Sequence, residues 1–167
     1  MTTVVRRIRP DEGALLRSVR LSALADSPSA FGSTYAAEAD QPDDYWTDRA
    51  KVGAEGEWSV TFFAMADDAV VGLVGGYRPD SATRSVELVS MWVSPAHRRG
   101  GVALGLVAAV VGWARRIGME TVGLWVTRGN DGAMRLYETA GFELTGDHQA
   151  LPSDPCKDEL RMRILLV

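Results

Sequence analysis

A chain of 167 residues, 46% hydrophobic and 24% charged, has the composition of a soluble globular protein long enough to bury a real core. Its net charge of −4 disfavours nucleic acid as the main partner. The single cysteine, Cys156, excludes an intrachain disulfide and fits a reducing compartment. Residues Met1–Arg7 hold no apolar leader, and the longest apolar run, around Val102–Ala114, is too short for a membrane span, so a cytoplasmic location away from membranes is expected. The length predicts one domain over residues 1–167.

The chain opens with a β-prone run, Thr3–Arg9. Pro10, Asp11 and Glu12 suit the first turn of a helix, and Leu15, Leu16, Val19, Leu21 and Leu24 carry helical spacing to Ala25. Asp26-Ser-Pro-Ser breaks it. Residues 31–41 are ambiguous. A second helix is predicted from Asp43 or Asp44 to about Val52, anchored by Trp46. Three strands follow, Ser59–Met65, Ala69–Tyr77 and Arg84–Val93, whose short Asp, Gly and Pro connections favour antiparallel hairpins.

Val93-Ser-Pro-Ala-His-Arg-Arg-Gly-Gly-Val-Ala103 comes next. It joins the third of those strands to a long apolar helix, Val102–Ile117, that Gly118 stops. A Gly-rich turn at a helix start exposes unpaired N–H groups at the positive end of the helix dipole, which suits a phosphate. Thr121–Val126 is then a strand, parallel to the one ending at Val93 because a helix connects them. Asn130 caps a short helix, Asp131–Thr139, ended by Gly141. Phe142–Gly146 reads as a strand, residues 147–156 as a long polar loop, and Glu159–Val167 as the last strand.

The element order, with its turn after the fourth strand, resembles the GNAT acetyltransferase superfamily. Arg98-Arg99-Gly100-Gly101-Val102-Ala103 is similar to the family's pyrophosphate loop, with Val93 and Pro95 at the usual distance before it. Asn130-x-x-Ala133-x-x-Leu136-Tyr137-x-x-x-Gly141-Phe142 is similar to the segment that follows. Together these pieces cover residues 86–142. The resemblance implies an α/β (α+β) fold: a mixed, mostly antiparallel sheet of about seven strands flanked by four helices. Its parallel fourth and fifth strands would splay to admit CoA.

It also implies acetyl-CoA as donor and direct transfer of acetyl to a primary amine of a small molecule or peptide. A non-catalytic acyl-CoA-binding module and a protein lysine or N-terminal acetyltransferase are the alternatives. Backbone N–H groups of Arg99, Gly100, Gly101, Val102 and Ala103 would hold the pyrophosphate, and the side chains of Arg98 and Arg99 would meet phosphate by charge-assisted bonds. Met91, Trp92 and Val93 would line the pantetheine through their backbone, and Asn130 would contact its arm. Tyr137 would protonate the leaving thiolate, since its ordinary pKa of about 10 keeps it protonated at neutral pH. Glu87 would serve as the base. Family members are often homodimers, so a homodimer is expected too.

One position departs from a subgroup of the family: ribosomal-protein N-terminal acetyltransferases carry an acid where Trp125 stands, and tryptophan is no base. His97 and His148 read as solvated, and nothing in the sequence chooses among Glu38, Asp147 and Asp154 as contacts for a cationic acceptor. No His/Cys cluster has metal-ligand spacing, so no metal is expected. The identity of the acceptor is not legible.

Overall fold

The computed structural model describes residues 2–166. Strand β1 (Thr3–Arg7) leads through a turn to α1 (Gly13–Asp26), which starts three residues later than the proline signal suggests. Glu12 explains the delay: its carboxylate takes the Arg9 N–H at 2.8 Å and both Arg6 guanidinium nitrogens, fixing residues 9–12 as a turn. The helices α2 (Tyr35–Ala39) and α3 (Asp43–Ala54) follow. α2 is one five-residue turn capped by Thr34, and it raises the α-helix count to five where four were expected. Gly13 lets α1 approach α3, since a Cβ there would stand 3.0 Å from the backbone of Trp46 and Thr47.

Next come β2 (Ser59–Ala66), β3 (Ala69–Tyr77), β4 (Ser85–Val93), α4 (Val102–Arg116), β5 (Thr121–Thr127) and α5 (Asp131–Thr139). Strands β6 (Glu143–Leu151) and β7 (Asp154–Leu165) close the described chain. All seven strands form one sheet, ordered β1-β2-β3-β4-β5-β7-β6 and antiparallel except for β4 beside β5.

The sheet is covered on both faces. Leu106, Val110 and Ala114 of α4 pack with Val60, Val74, Val86 and Leu88 on one face. Leu16 and Leu24 of α1 and Trp46 of α3 pack with Phe63, Leu73 and Trp92 on the other. Each buried Val, Leu or Phe side chain among them contributes roughly 1.5–3 kcal/mol. The all-round apolar start of α4 follows from this position over five strands. Among the described residues no helix is long and apolar enough to cross a membrane.

The expected loop at residues 147–156 is a correction. Those residues extend a long hairpin, with only Pro152 and Ser153 in the turn. Nearly every β6 side chain is exposed, so no buried face writes an alternating pattern into the sequence. Pairing with β7 holds the strand instead. The tip is pinned on the segment after α1: Leu151 is buried, Ser153 Oγ donates to Phe31 O at 2.5 Å, and Lys157 Nζ donates to Ser29 Oγ at 2.6 Å.

Candidate active site

Chain direction reverses just after β4. Ser94 N–H bonds Val71 O at 2.8 Å, and a 3-10 turn over Pro95–His97 follows. Arg99 (φ 65°) and Gly101 (φ 84°) then adopt left-handed backbone on either side of Gly100, and Gly101 caps α4. This alternation makes a concave loop of N–H groups. Among the described residues, no protein acceptor meets the N–H groups of Arg99, Gly100, Gly101, Val102, Ala103 or Leu104. Six consecutive free donors at a helix start form a ready anion site. The Arg99 side chain is exposed and makes no ion pair among the described residues.

Arg98, beside the turn, also makes contacts within the protein. Its Nε donates to Val93 O at 2.9 Å, and its Nη2 pairs with Asp26 at the end of α1. Asp26 also accepts from Ser27 Oγ and from Trp92 Nε1 at 3.0 Å. The Ser27 hydroxyl first, then the Trp92 indole and Arg98, hold this carboxyl below its ordinary pKa. Arg98 thus braces the turn against α1, and Trp92 turns its side chain into the α1 core.

The gap beside this turn comes from two breaks in strand pairing. The parallel ladder between β4 and β5 ends at Glu87 opposite Gly123. Beyond it β4 bulges against β3, with the register shifting between Leu73 and Gly75 and Ser90 at φ 60°. A bulge bends its strand and frees backbone groups. The β5-facing edge of β4 from Leu88 to Val93 therefore has no ladder partner. A cleft of about 600 Å³ runs along Met91, Val93, Ala103 and Asn130 from the turn. It continues as a narrow slot between Leu88–Met91 and Trp125–Thr127, ending at Tyr137.

Asn130 Oδ1 accepts the Ala133 N–H at 3.2 Å, capping α5, while its amide nitrogen has no acceptor among the described residues. Tyr137 is 6% exposed, with its ring edge-on to Phe142 at 5.9 Å. Its hydroxyl makes no hydrogen bond among the described residues, and burial pushes it above the ordinary tyrosine pKa.

On the face away from α4, Glu87 is clamped. Arg161 of β7 reaches over β5 and forks onto both carboxylate oxygens, with Nη1–Oε2 at 2.6 Å. Gly123 makes the crossing possible, because a Cβ there would stand 2.7 Å from the Arg161 Cζ. The guanidinium also lies 5.3 Å from the centre of the Trp125 ring. Glu87 raises the Arg161 pKa, chiefly by hydrogen bonding. The clamp ties β7 to β4 at the last rung before the strands part.

The structure thus brings Met91, Val93, the turn from Arg99 to Ala103, Asn130 and Tyr137 along one cleft, and sets Glu87 beside its fork on the other face. Arg98 and Trp92 also border that cleft, with Arg98 Nη2 and Trp92 Nε1 held by Asp26. Glu38 is buried and bound by Arg20 and Arg49, so it faces no acceptor. His148 is exposed on β6, and Asp147 and Asp154 are engaged by Thr145 and Lys157. Arg161 and Gly123 were missed by sequence reasoning. An isolated glycine inside Thr121–Thr127 was the available signal, since it marks a close approach. Among the described residues no group of His, Cys, Asp and Glu is arranged to hold a metal ion.

The sequence profile of the Acetyltransferase (GNAT) family matches residues 22–142. Human N-acetyltransferase 8 is 35% identical over 91 residues, 53% of this chain and 40% of the human protein. The chain therefore spans well under two thirds of that relative's length. A GNAT-family acetyltransferase structure from Streptococcus pneumoniae superposes with a TM-score of 0.84 at 18% identity, covering 98% of this chain and 99% of that one. The yncA structure from Salmonella typhimurium, solved with acetyl-CoA, superposes with a TM-score of 0.76 at 18% identity, covering 100% and 95%. These two likenesses establish a shared fold.

Proposed function

The chain belongs to the GNAT acetyltransferase family, and from that premise we propose that it transfers an acetyl group from acetyl-CoA directly to a primary amine. The observation that carries this reading is the run of six unpartnered N–H groups from Arg99 to Leu104, set at the head of a strand gap that ends under a free tyrosine hydroxyl. The acetyl-CoA in the yncA structure supports the same donor here.

In this reading the N–H groups of Arg99 through Ala103 bind the pyrophosphate, and the exposed Arg99 side chain adds charge. The free edge of β4, from Met91 to Val93, hydrogen-bonds the pantetheine as an added strand would, and Asn130 offers its amide nitrogen. A neutral amine attacks the thioester carbon, and an N–H of the same β4 edge stabilises the developing oxyanion. As the C–S bond breaks, Tyr137 donates its proton to the departing thiolate and regains one from the acylated nitrogen, which leaves as a neutral amide. Its raised pKa keeps that proton in place at every pH below about 10. Glu87 accepts the proton lost by the ammonium through water, on the lone pairs that Arg161 leaves free. The resemblance adds the expectation of a cytoplasmic homodimer, and light scattering on the purified chain tests the second copy.

The test is thiol release from acetyl-CoA against a panel of primary amines, with mass spectrometry of the product. Stoichiometric thiol and N-acetyl product are expected. Tight binding of acetyl-CoA without turnover on any amine would contradict the reading and favour a non-catalytic acyl-CoA-binding module.

A further inference from the structure

Helix α5 turns two faces to the donor cleft. Asn130, Ala133 and Tyr137 follow one another at helical spacing along the slot. Gly132, Arg135, Leu136 and Thr139 form a second face, which lines the wider cleft by the turn and not the slot. Leu104 of α4 likewise lines the wider cleft alone. The cleft of about 600 Å³ therefore holds more than the path from the turn to Tyr137. It extends into a groove between the first turn of α4 and helix α5.

Charge is distributed unevenly there. The chain as a whole carries −4. The cleft is lined by Arg98, Arg99, Arg135 and His97, and by no aspartate or glutamate. Asp26, just outside the lining, is taken up by Arg98, Trp92 and Ser27. Arg135 is exposed on α5 and makes no ion pair or side-chain hydrogen bond among the described residues, although Asp131 and Glu138 are its neighbours on the helix. Leu104 is 39% exposed and Leu136 half-buried. The groove thus sets an apolar surface beside a guanidinium that nothing neutralises.

We propose that this groove holds the 3′-phosphoadenosine end of CoA and that Arg135 forks onto its 3′-phosphate, so that the protein selects a donor carrying that phosphate. The inference rests on the acetyl-CoA reading above and extends its donor site to the nucleotide. The free N–H groups of the turn fix the pyrophosphate, and the slot takes the pantetheine inward to Tyr137. The nucleoside leaves the pyrophosphate on the other side, away from the slot, where adenine lies on Leu104 and Leu136. Its 3′-phosphate brings about two negative charges at neutral pH, and the backbone donors are already spent on the pyrophosphate. Arginine presents a planar fork that matches a phosphate. Arg98 commits Nε and Nη2 to Val93 O and Asp26, and Arg99 belongs to the turn itself. Arg135 is the arginine of the α5 wall, free to take this phosphate.

The experiment is titration calorimetry of the intact chain with CoA and with 3′-dephospho-CoA, two ligands that differ only in that phosphate. CoA is expected to bind about tenfold more tightly at low salt, and the ratio should shrink as ionic strength rises. Arg135→Gln should weaken CoA about tenfold and leave dephospho-CoA within about twofold, so that the ratio falls to about one. Arg135→Lys should restore part of the ratio, because the charge returns without the fork. Thr139→Glu places a carboxylate in the groove one turn beyond Arg135. It should weaken CoA more than dephospho-CoA, and it keeps the test decisive if Arg135→Gln fails to fold. Equal affinity of the wild-type chain for the two ligands overturns the proposal. So does an Arg135→Gln chain that keeps the wild-type ratio, or one that loses both ligands alike, which would leave Arg135 a structural role only. A chain that binds neither ligand contradicts the donor reading itself, and this inference falls with it.

Discussion

The two sides of the β4 bulge are built by different means. The α4 side, where the donor is proposed to lie, is made mostly of backbone: free N–H groups at the start of α4 and an unpaired strand edge. Apart from Ser27 and Ala30, its parts lie between Leu88 and Thr139 in the sequence. The opposite side is made of side chains and of one side chain that is absent. Asp48 and Val52 come from α3, Gly75 and Tyr77 from β3, and Arg161 from β7. A backbone site needs particular conformations in a fixed order, so it leaves a local pattern of glycines. A side-chain site needs only that distant residues meet.

That contrast can be broken at several points. The largest effect is expected from Tyr137→Phe, which removes a hydroxyl that no protein group holds. It should lower kcat by about a hundredfold while acetyl-CoA affinity, measured by calorimetry, stays within about twofold. An unchanged kcat would take Tyr137 out of the mechanism. Across pH 6–10 the wild-type rate should show no basic limb from this group, because its pKa is raised above the ordinary tyrosine value.

A smaller effect is expected across the fork. Arg161→Gln leaves Glu87, whose side chain is only 14% exposed, without its cation. It should cost about 2 kcal/mol of stability by chemical denaturation. Gly123→Ala should have a comparable effect, because its Cβ displaces the same guanidinium. If Gly123→Ala is neutral, Arg161 does not need the crossing over β5.

The smallest effect lies at Asp26, which ties α1 to Arg98 and Trp92. Its folded pKa is below the unfolded value, so its contribution is fully present above about pH 4 and is lost as pH falls through the folded pKa. Asp26→Asn should cost about 1 kcal/mol at pH 7, and the difference should fade as pH drops through the folded pKa of Asp26. A difference that persists at low pH would mean that packing, and not the charge, matters there.

The same division decided how much of the protein was legible in its sequence. Strand β3 and helix α5 have the predicted bounds, and β2, β4, α4 and β5 differ only at their ends. Hydrophobic period, capping Asn130 and the terminating glycines mark these elements locally. The turn at Arg98–Ala103 was legible for the same reason, down to the helix start at Val102. The hairpin of β6 and β7 was misread because polar side chains face water along a strand held by backbone pairing. The direction of Arg98 was not legible because Asp26 lies 72 residues away, nor was the clamp on Glu87, whose partner lies 74 residues away. Nothing near Arg98 or Glu87 in the sequence reports such a partner.

The central claim is that the free N–H groups from Arg99 to Leu104 hold the phosphates of acetyl-CoA. Backbone amide chemical shifts of the isotope-labelled protein, followed during titration with CoA, test it most directly. The amides of residues 99–104 are expected to show the largest downfield shifts of the chain, as charge-assisted hydrogen bonds to phosphate form. If CoA binds and those six amides stay where they are, the account is wrong.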